Sequence, residues 1–528
     1  MSYTPVATAQ TDAYKLSHKK FMADGTTQIY ANFTARSGKY AKWGPGEHLV
    51  IVAGVQAFIK NVLIGEWNDT FFKRPFKTVI AEWKARVEGY LGAGSVSMEH
   101  FQELHKLGYL PIELKALPEG SKVPLKVAFL TVTNTDPRFA WLVTYLETVL
   151  SQEVWPIVTN ATVAYQFYLL GKRFGLETCA NLDHLVFQFH DFSARGMFGR
   201  HAAAMSGFAH LLAGHCGTDT VAALDYIDQL YGGSPQGTFI AASVPASEHS
   251  VTSLGIAVDG ELETIKRWIT KDYPAGIVSV VSDTLDYWQV LTKYLPALKD
   301  EIRARPALGV LPGKVVVRPD SGDPVRVICG YREDEIVRSS QGIFVKEQWN
   351  APAIHDFHLK PITEEEVKGS IQVLYDEFGG TLNANGYKLL DPSIGLIYGD
   401  SITLERADEI FRRLQEKGFA SSNVVFGVGS YTYQMVSRDT LGMAIKATYA
   451  VVDGKGLELF KDPKTDDGTK KSARGLICVY RGADGTLKQS DQVTPEEEDS
   501  SLLQTVFKDG KILINENFAT IRARVQGG

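Results

Sequence analysis

The sequence predicts an α/β protein: an irregular α/β barrel of parallel strands, plus an α+β domain whose antiparallel sheet is built from the N- and C-terminal segments. Three observations predict it. At 528 residues the chain exceeds what one hydrophobic core organises, so more than one structural unit is expected. From Leu185 onward, short apolar runs recur, each ending in small, polar or charged residues: LVFQFHDFSARG, TFIAASVPASEH, GIVSVVSDT, KVVVRPDSGDP, IGLIYGDS and NVVFGVGS. Strand-like alternation with Pro and Gly punctuation flanks that region on both sides. A buried strand, a polar terminus and a crossover, repeated, is the pattern of parallel strands whose C-terminal ends share one functional face. A doubly wound open sheet gives similar runs and periodicity alone does not separate the two; the barrel is preferred. The boundaries read as 1–180 for the N-terminal α+β domain, 181–440 for the barrel with an insertion over 331–370, and 441–528 for a segment completing the first domain.

In chain order, Asp12 to Met22 reads as helix, Gln28 to Arg36 as a strand and Val50 to Ile64 as an amphipathic helix. A helix over Glu99 to Lys106 precedes PIELKALPEG and KVPLKVAFLTVTN, an antiparallel pair with one solvated face. Phe139 to Val149 and Ala161 to Phe174 read as two helices, and GTFIAASVPASEHS, from Gly237 to Ser250, as a buried strand running into a polar turn. The stretch from Tyr331 to Ser370 is charged and irregular, a peripheral insertion. After Ala444 strands return, with turn signals at Asp453-Gly454 and Asp484-Gly485, and the acidic PEEEDSS from Pro495 reads as a solvated loop.

Composition narrows the function. The chain is 44% hydrophobic and 22% charged, and no apolar run reaches the ~18 residues that a membrane span needs. The start, MSYTPVATAQTDAYK, has no basic region followed by an apolar segment, so a cytoplasmic protein is expected. A formal charge of -6 supplies no basic field for nucleic acid, although a local basic pocket could still take a phosphorylated metabolite. Cys179, Cys216, Cys329 and Cys478 are widely separated without CxxC spacing and read as reduced thiols.

The polar strand ends could bring Asp191, Arg195, Asp283, Arg318, Asp320 and Asp400 around one mouth. Arginines match phosphate oxygens, carboxylates take ribose hydroxyls or hold Mg²⁺, and glycine turns offer N–H groups to phosphate, so a sugar phosphate is the expected ligand class. The competing reading makes each Asp or Ser a helix cap and each Arg a partner of a nearby carboxylate. An exposed Phe192 ring would stack a flat heteroaromatic ligand, or it is an ordinary core residue. Asp219 in GTDT could accept from a carboxamide, or cap a helix. FGVGS from Phe426 matches neither GxGxxG nor the Walker spacing, but a strand ending in Gly-Val-Gly-Ser and feeding a helix, with Arg438 beyond, is a reasonable phosphate cradle. Glu248 and His249 form an adjacent pair that is capping or surface chemistry when taken alone.

Taken in order, TDAYK, HDFSARG, GTDT, SVPASEHS, VSVVSD, RPDSG, GDS and FGVGS resemble the nicotinamide phosphoribosyltransferases, of the type II phosphoribosyltransferase family. The resemblance spans nearly the whole chain apart from Tyr331 to Ser370 and includes LPIELKALPEG, NTDP and FKDP. It implies transfer of a ribosyl phosphate from 5-phosphoribosyl 1-pyrophosphate to nicotinamide, giving nicotinamide mononucleotide and pyrophosphate in NAD salvage. It implies that Phe192 stacks on the pyridine ring, with Tyr14 of a second subunit opposite, hence a homodimer with a shared site. Arg195 would contact the carboxamide or ribosyl phosphate region and Asp219 would accept from the amide nitrogen. An ionised Asp219 also repels nicotinate, so selection for the amide is expected.

The same resemblance assigns Ser243, Ser279, Arg318, Asp320, Gly399 and Asp400 to substrate contacts, and Gly429 with Ser430 to the 5-phosphate. Ser430 departs from the family's second glycine, and Ala194 from an aromatic. Arg36, Arg438 and Lys446 match positions holding pyrophosphate or the phosphates of ATP. His249 matches the histidine through which the family couples ATP hydrolysis to synthesis by phosphorylation, oriented by Glu248 or Asp283. The implied cofactors are Mg²⁺, with its ligands open, and ATP as co-substrate; no nucleic-acid or membrane partner is expected. Nicotinate phosphoribosyltransferase and a catalytically weak nucleotide-binding protein on the same fold are the alternatives.

Overall fold

The computed structural model describes residues 4–41, 49–232, 239–348, 357–461 and 472–527. Its N-terminal strands are Thr26–Thr34 (β1), Ile112–Ala116 (β2) and Ala128–Asn134 (β3). β2 alternates buried and half-buried residues, the period of a strand covered on one face. Its partner β3 is buried at all but one position, so the solvated face expected for the pair is confined to β2.

The next strands are Phe189–Asp191 (β4), Gly217–Thr218 (β5), Ile277–Val281 (β6), Lys314–Arg318 (β7), Ile394–Tyr398 (β8) and Val424–Val428 (β9). They pair in parallel in the order β5-β4-β9-β8-β7-β6. The gap between β5 and β6 is crossed by the segment that sequence patterning made a buried strand. Its Gly237 and Thr238 lie outside the described residues, its His249 and Ser250 open the helix His249–Asp259, and from Phe239 to Glu248 it is irregular and half-buried to exposed. The reason is Pro245, which has no N–H for a ladder. Ala242 donates to Cys216 O (2.8 Å) and accepts from the N–H of Thr218 (3.2 Å) on one side. Three residues later Pro245 O accepts from Ser279 N (2.9 Å) and Ser247 N donates to Ser279 O (3.0 Å) on the other. One irregular stretch thus bridges two strands and closes the barrel.

The C-terminal strands are Ala444–Val452 (β10), Lys455–Glu458 (β11), Gln504–Lys508 (β12) and Lys511–Ile512 (β13). They join the N-terminal ones in a seven-stranded sheet, β11-β10-β1-β3-β2-β12-β13. β10 and β11 form a hairpin on Asp453-Gly454, both at positive φ (49° and 72°), as a two-residue hairpin turn requires.

Other expectations are corrected. The two helices separated by a gap are one helix, Glu147–Thr178, preceded by the short Trp141–Tyr145. Residues 157–165 are buried on every side of that helix, because it lies between the barrel core and the N-terminal core and feeds both. No amphipathic stripe therefore marks its middle. The irregular insertion is a three-stranded antiparallel meander, Ile336–Ser339, Gly342–Gln348 and Phe357–Ile362, over a small cluster of Val345, Ile362 and Val367; residues 349–356 are outside the described residues. The acidic PEEEDSS is the helix Pro495–Asp499 behind a Thr494/Glu497 capping box, and its Glu498 is buried against Lys115 at 2.6 Å. The last helix, Phe518–Gly527, packs Phe518, Ile521 and Val525 into the barrel core.

Candidate active site

The barrel interior is open. Period 2 along the strands points Ile277 and Ser279 of β6, and Lys314, Val316 and Arg318 of β7, toward the axis. Those side chains leave a cavity of about 520 Å³, which runs from Phe192, Asp219, Ser243 and Arg318 at the strand C-termini to Lys314 and His184 at the other end.

Phe192 follows β4 on the same face as His190, and its N–H donates to Val428 O (3.0 Å). Two glycines seat its ring: a Cβ on Gly427 would lie 2.2 Å from the ring, and one on Gly399 3.1 Å. Half-buried and cavity-lining, the ring is a platform rather than a core filler.

Asp219 lies just beyond β5. Its Oδ1 accepts from His190 Nε2 (2.9 Å) and from Ser243 Oγ (2.5 Å). Burial alone would raise this carboxyl, but His190, Ser243 and Arg318 outweigh it and hold Asp219 below the usual carboxylate range. The capping alternative fails, since the following helix, Ala222–Leu230, takes no side-chain cap. The same holds around the mouth. Asp286 caps the helix after Asp283, Asp323 the one after Asp320, and Thr403 the one after Asp400. Caps are supplied by residues further along, so Asp283, Asp320 and Asp400 are not needed for that work. Asp191 is structural: fully buried, it accepts from Ser193 N and Thr218 Oγ1.

Arg318 donates to Ser247 O (2.7 Å) and sits 3.6 Å from Asp320, while its Nε and the hydroxyl of buried Ser279 have no hydrogen-bond partner among the described residues. These are two polar atoms suited to a ligand. Asp283, almost fully buried, meets His249 Nε2 through Oδ1 (3.1 Å) and accepts from Asp320 N (2.9 Å) and Ser321 Oγ (2.6 Å) through Oδ2. Glu248 turns away from His249, accepts from the Ser250 hydroxyl and lies 4.0 Å from exposed Arg195. Of the two carboxylates considered for orienting His249, Asp283 is the one in contact. Burial pushes the Asp320 carboxyl up; Arg318 opposes this, and Asp283 and Asp400 add to it.

Gly429 starts the short helix Ser430–Tyr433 and has open space where a Cβ would be. The departure at Ser430 is accommodated by HDFSARG itself: its hydroxyl occupies the place a Cβ on Gly196 would take, at 1.9 Å. Ala194 is half-buried.

Four expected residues are not brought to this mouth. Tyr14 is 62% exposed, with its hydroxyl on Asp12 (3.3 Å) and its ring against His18. Arg36 and Lys446 line a separate cavity of about 310 Å³ on the antiparallel sheet. Burial lowers the Lys446 amine, Glu147 opposes this, and Arg36 and Arg438 add to it, so these cations form one cluster. Sequence reasoning missed His190 and Ser321. His190 was findable, because alternation along HDF puts it on the same face as Phe192.

The nicotinate phosphoribosyltransferase (NAPRTase) family matches residues 187–511. The chain is 46% identical over 517 residues to a nicotinamide phosphoribosyltransferase of Acinetobacter baylyi, covering 97% of this chain and 96% of that one. It is 31% identical over 532 residues to a protein of the same name from Xanthomonas campestris, covering 99% and 98%. Among solved structures, the nicotinate-nucleotide pyrophosphorylase of Pyrococcus furiosus aligns with a TM-score of 0.56 at 15% identity, over 100% of this chain and 96% of that one. Human nicotinic acid phosphoribosyltransferase aligns with a TM-score of 0.53 at 15% identity, over 98% and 93%. At that identity these two structures establish a shared fold.

Proposed function

The chain belongs to the nicotinate phosphoribosyltransferase family, and from that premise we propose that it transfers the phosphoribosyl group of 5-phosphoribosyl 1-pyrophosphate to nicotinamide, yielding nicotinamide mononucleotide and pyrophosphate. The observation that carries this reading is Asp219: an ionised acceptor beside the Phe192 platform, with Oδ1 taken by His190 and Ser243. A carboxamide N–H₂ donates to such a group, whereas the carboxylate of nicotinate is repelled by it.

Phe192 fixes the plane of the pyridine, Asp219 its rotation, and the ring nitrogen, already nucleophilic, attacks C1 of the ribosyl group as pyrophosphate leaves. No general base is required. The rate gain comes from alignment and from charge: carboxylates at the mouth face the developing positive ribosyl centre, and Arg318 faces its phosphates. No cluster of three or more His, Cys, Asp or Glu side chains suits a metal among the described residues. Asp320 and Asp400, beyond neighbouring β7 and β8, would instead hold Mg²⁺ together with the pyrophosphate, because that ion is taken by one or two carboxylates plus substrate phosphates. When bound it neutralises charge on the leaving group.

His249 is the site of ATP coupling. Asp283 holds its Nε2, and the described residues leave Nδ1 without a hydrogen bond, which is the arrangement of an imidazole nucleophile oriented by a carboxylate. The homodimer reading is supported by the exposed Tyr14 and by the Arg36, Arg438 and Lys446 cluster outside the chain's own mouth, which a second copy would bring to it.

The test compares nicotinamide and nicotinate with the same donor, measuring mononucleotide and pyrophosphate. A clear preference for nicotinamide is expected; equal or faster use of nicotinate overturns the reading, and ligand binding without pyrophosphate release leaves only a nucleotide-binding protein.

A further inference from the structure

His190 lies in the wall of the barrel cavity between the Phe192 ring and Asp219. Its ring centroid is 5.0 Å from that of Phe192 and its Nε2 is 2.9 Å from Asp219 Oδ1. On both neighbouring strands the residue paired with it is glycine, Gly217 on β5 and Gly427 on β9. A Cβ on Gly217 would lie 2.5 Å from His190 Nδ1, so the imidazole fills the space that glycine leaves. The ring is therefore set by the sheet, not by a loop.

Asp219, by contrast, sits on the turn beyond β5, where its side chain is 44% exposed and free to rotate unless something holds it. Two donors converge on the same oxygen, Oδ1. Pinning one oxygen of a carboxylate fixes the direction of the other, and Oδ2 is the one left for a ligand. Ser243 cannot do this alone: its hydroxyl rotates freely, and it stands on the irregular closing segment between the two bridges at Ala242 and Ala246. A protonated Asp219 would also donate to a carboxylate ligand and erase the discrimination, so the donor that favours the ionised form acts on selectivity directly.

We propose that His190 is the specificity-positioning residue of this site, holding Asp219 turned so that Oδ2 selects a carboxamide over a carboxylate. The proposal rests on the nicotinamide reading above. His190 acts through Asp219 and takes no part in bond making.

The test uses the full-length enzyme with saturating 5-phosphoribosyl 1-pyrophosphate and compares kcat/KM for nicotinamide and nicotinate. His190→Phe keeps a ring without a donor, and His190→Gln keeps an N–H donor of similar reach. His190→Phe is expected to lower the nicotinamide-to-nicotinate ratio about tenfold or more, through a raised KM for nicotinamide with kcat changed less than about threefold, a loss of the size expected for one charge-assisted hydrogen bond. His190→Gln is expected to restore most of the ratio. Should His190→Phe not fold, His190→Met carries the same comparison. Gly217→Ala, which pushes the imidazole aside while leaving every donor in the chain, is expected to lower the ratio as well. An unchanged ratio in the donor-less variants, or equal losses in His190→Phe and His190→Gln, overturns the proposal. A wild type with no amide preference overturns the nicotinamide reading instead, so the two failures are distinct.

Discussion

Gly427→Ala tests the platform most directly. The glycine is not at positive φ, so an alanine adds a methyl group without backbone strain. That methyl would stand 2.2 Å and 2.5 Å from Phe192 Cδ2 and Cε2, and 2.8 Å from the Cα of Gly399. Ordinary contact begins near 3.4 Å, so the ring must retreat by about 1 Å or more. Overpacking of this kind costs ~1–3 kcal/mol of stability. A lost ring stack is worth ~0.5–1.5 kcal/mol, which converts to roughly a 2- to 12-fold rise in the nicotinamide KM. Gly395→Ala on β8 is the control, since its Cβ meets Lys314 Cδ at an ordinary 3.4 Å. The assay is initial rates over a nicotinamide series, with urea midpoints for both variants. A Gly427→Ala enzyme with wild-type KM and wild-type midpoint refutes the seating of Phe192 by glycine.

Three further outcomes follow from the geometry. With labelled ATP, wild type should gain acid-labile phosphate and His249→Ala should not. Asp283→Asn, which weakens a charge-assisted hydrogen bond worth ~1.5–3 kcal/mol, should slow labelling roughly 10- to 100-fold, and full labelling of His249→Ala excludes His249 as acceptor. Burial raises Glu119 to about 6 despite donors from Gln56 N, Gly54 N and the Tyr231 hydroxyl. The folded state therefore holds that proton more tightly than the unfolded one. Stability contributed here is full below about pH 4.5, is lost by ~2 kcal/mol as pH rises to about 6, and is flat above. Glu119→Gln should remove that slope from urea midpoints taken across the window, and an identical slope in the variant refutes it. Finally, co-expressed Tyr14→Ala and Asp219→Ala chains, each weak alone, should recover about a quarter of wild-type activity if a heterodimer rebuilds one intact site; no recovery in a purified mixed dimer refutes the shared site.

Five of the six parallel strands, β4 and β6 to β9, and their reactive ends were legible in the sequence because each is written in about eight consecutive residues: an apolar run, then the polar turn that must follow it; Gly217–Thr218 (β5) is too short to show such a run. The β10–β11 hairpin was legible for the same reason, its turn being encoded by Asp453-Gly454 alone. Tertiary structure decided what depended on partners distant in sequence. Helix Glu147–Thr178 shows no stripe because two cores cover it, and Glu498 is buried because Lys115 reaches it across the sheet. Glu248 adjoins His249 in sequence, but the helix beginning at His249 turns the imidazole toward Asp283, 34 residues away. Asp219 likewise meets His190, 29 residues away, only because β4 and β5 lie side by side. Local order sets which residues stand at a strand's end; which oxygen meets which nitrogen there is set by strand pairing and by the glycines that let side chains approach, and neither is visible until the sheet has closed.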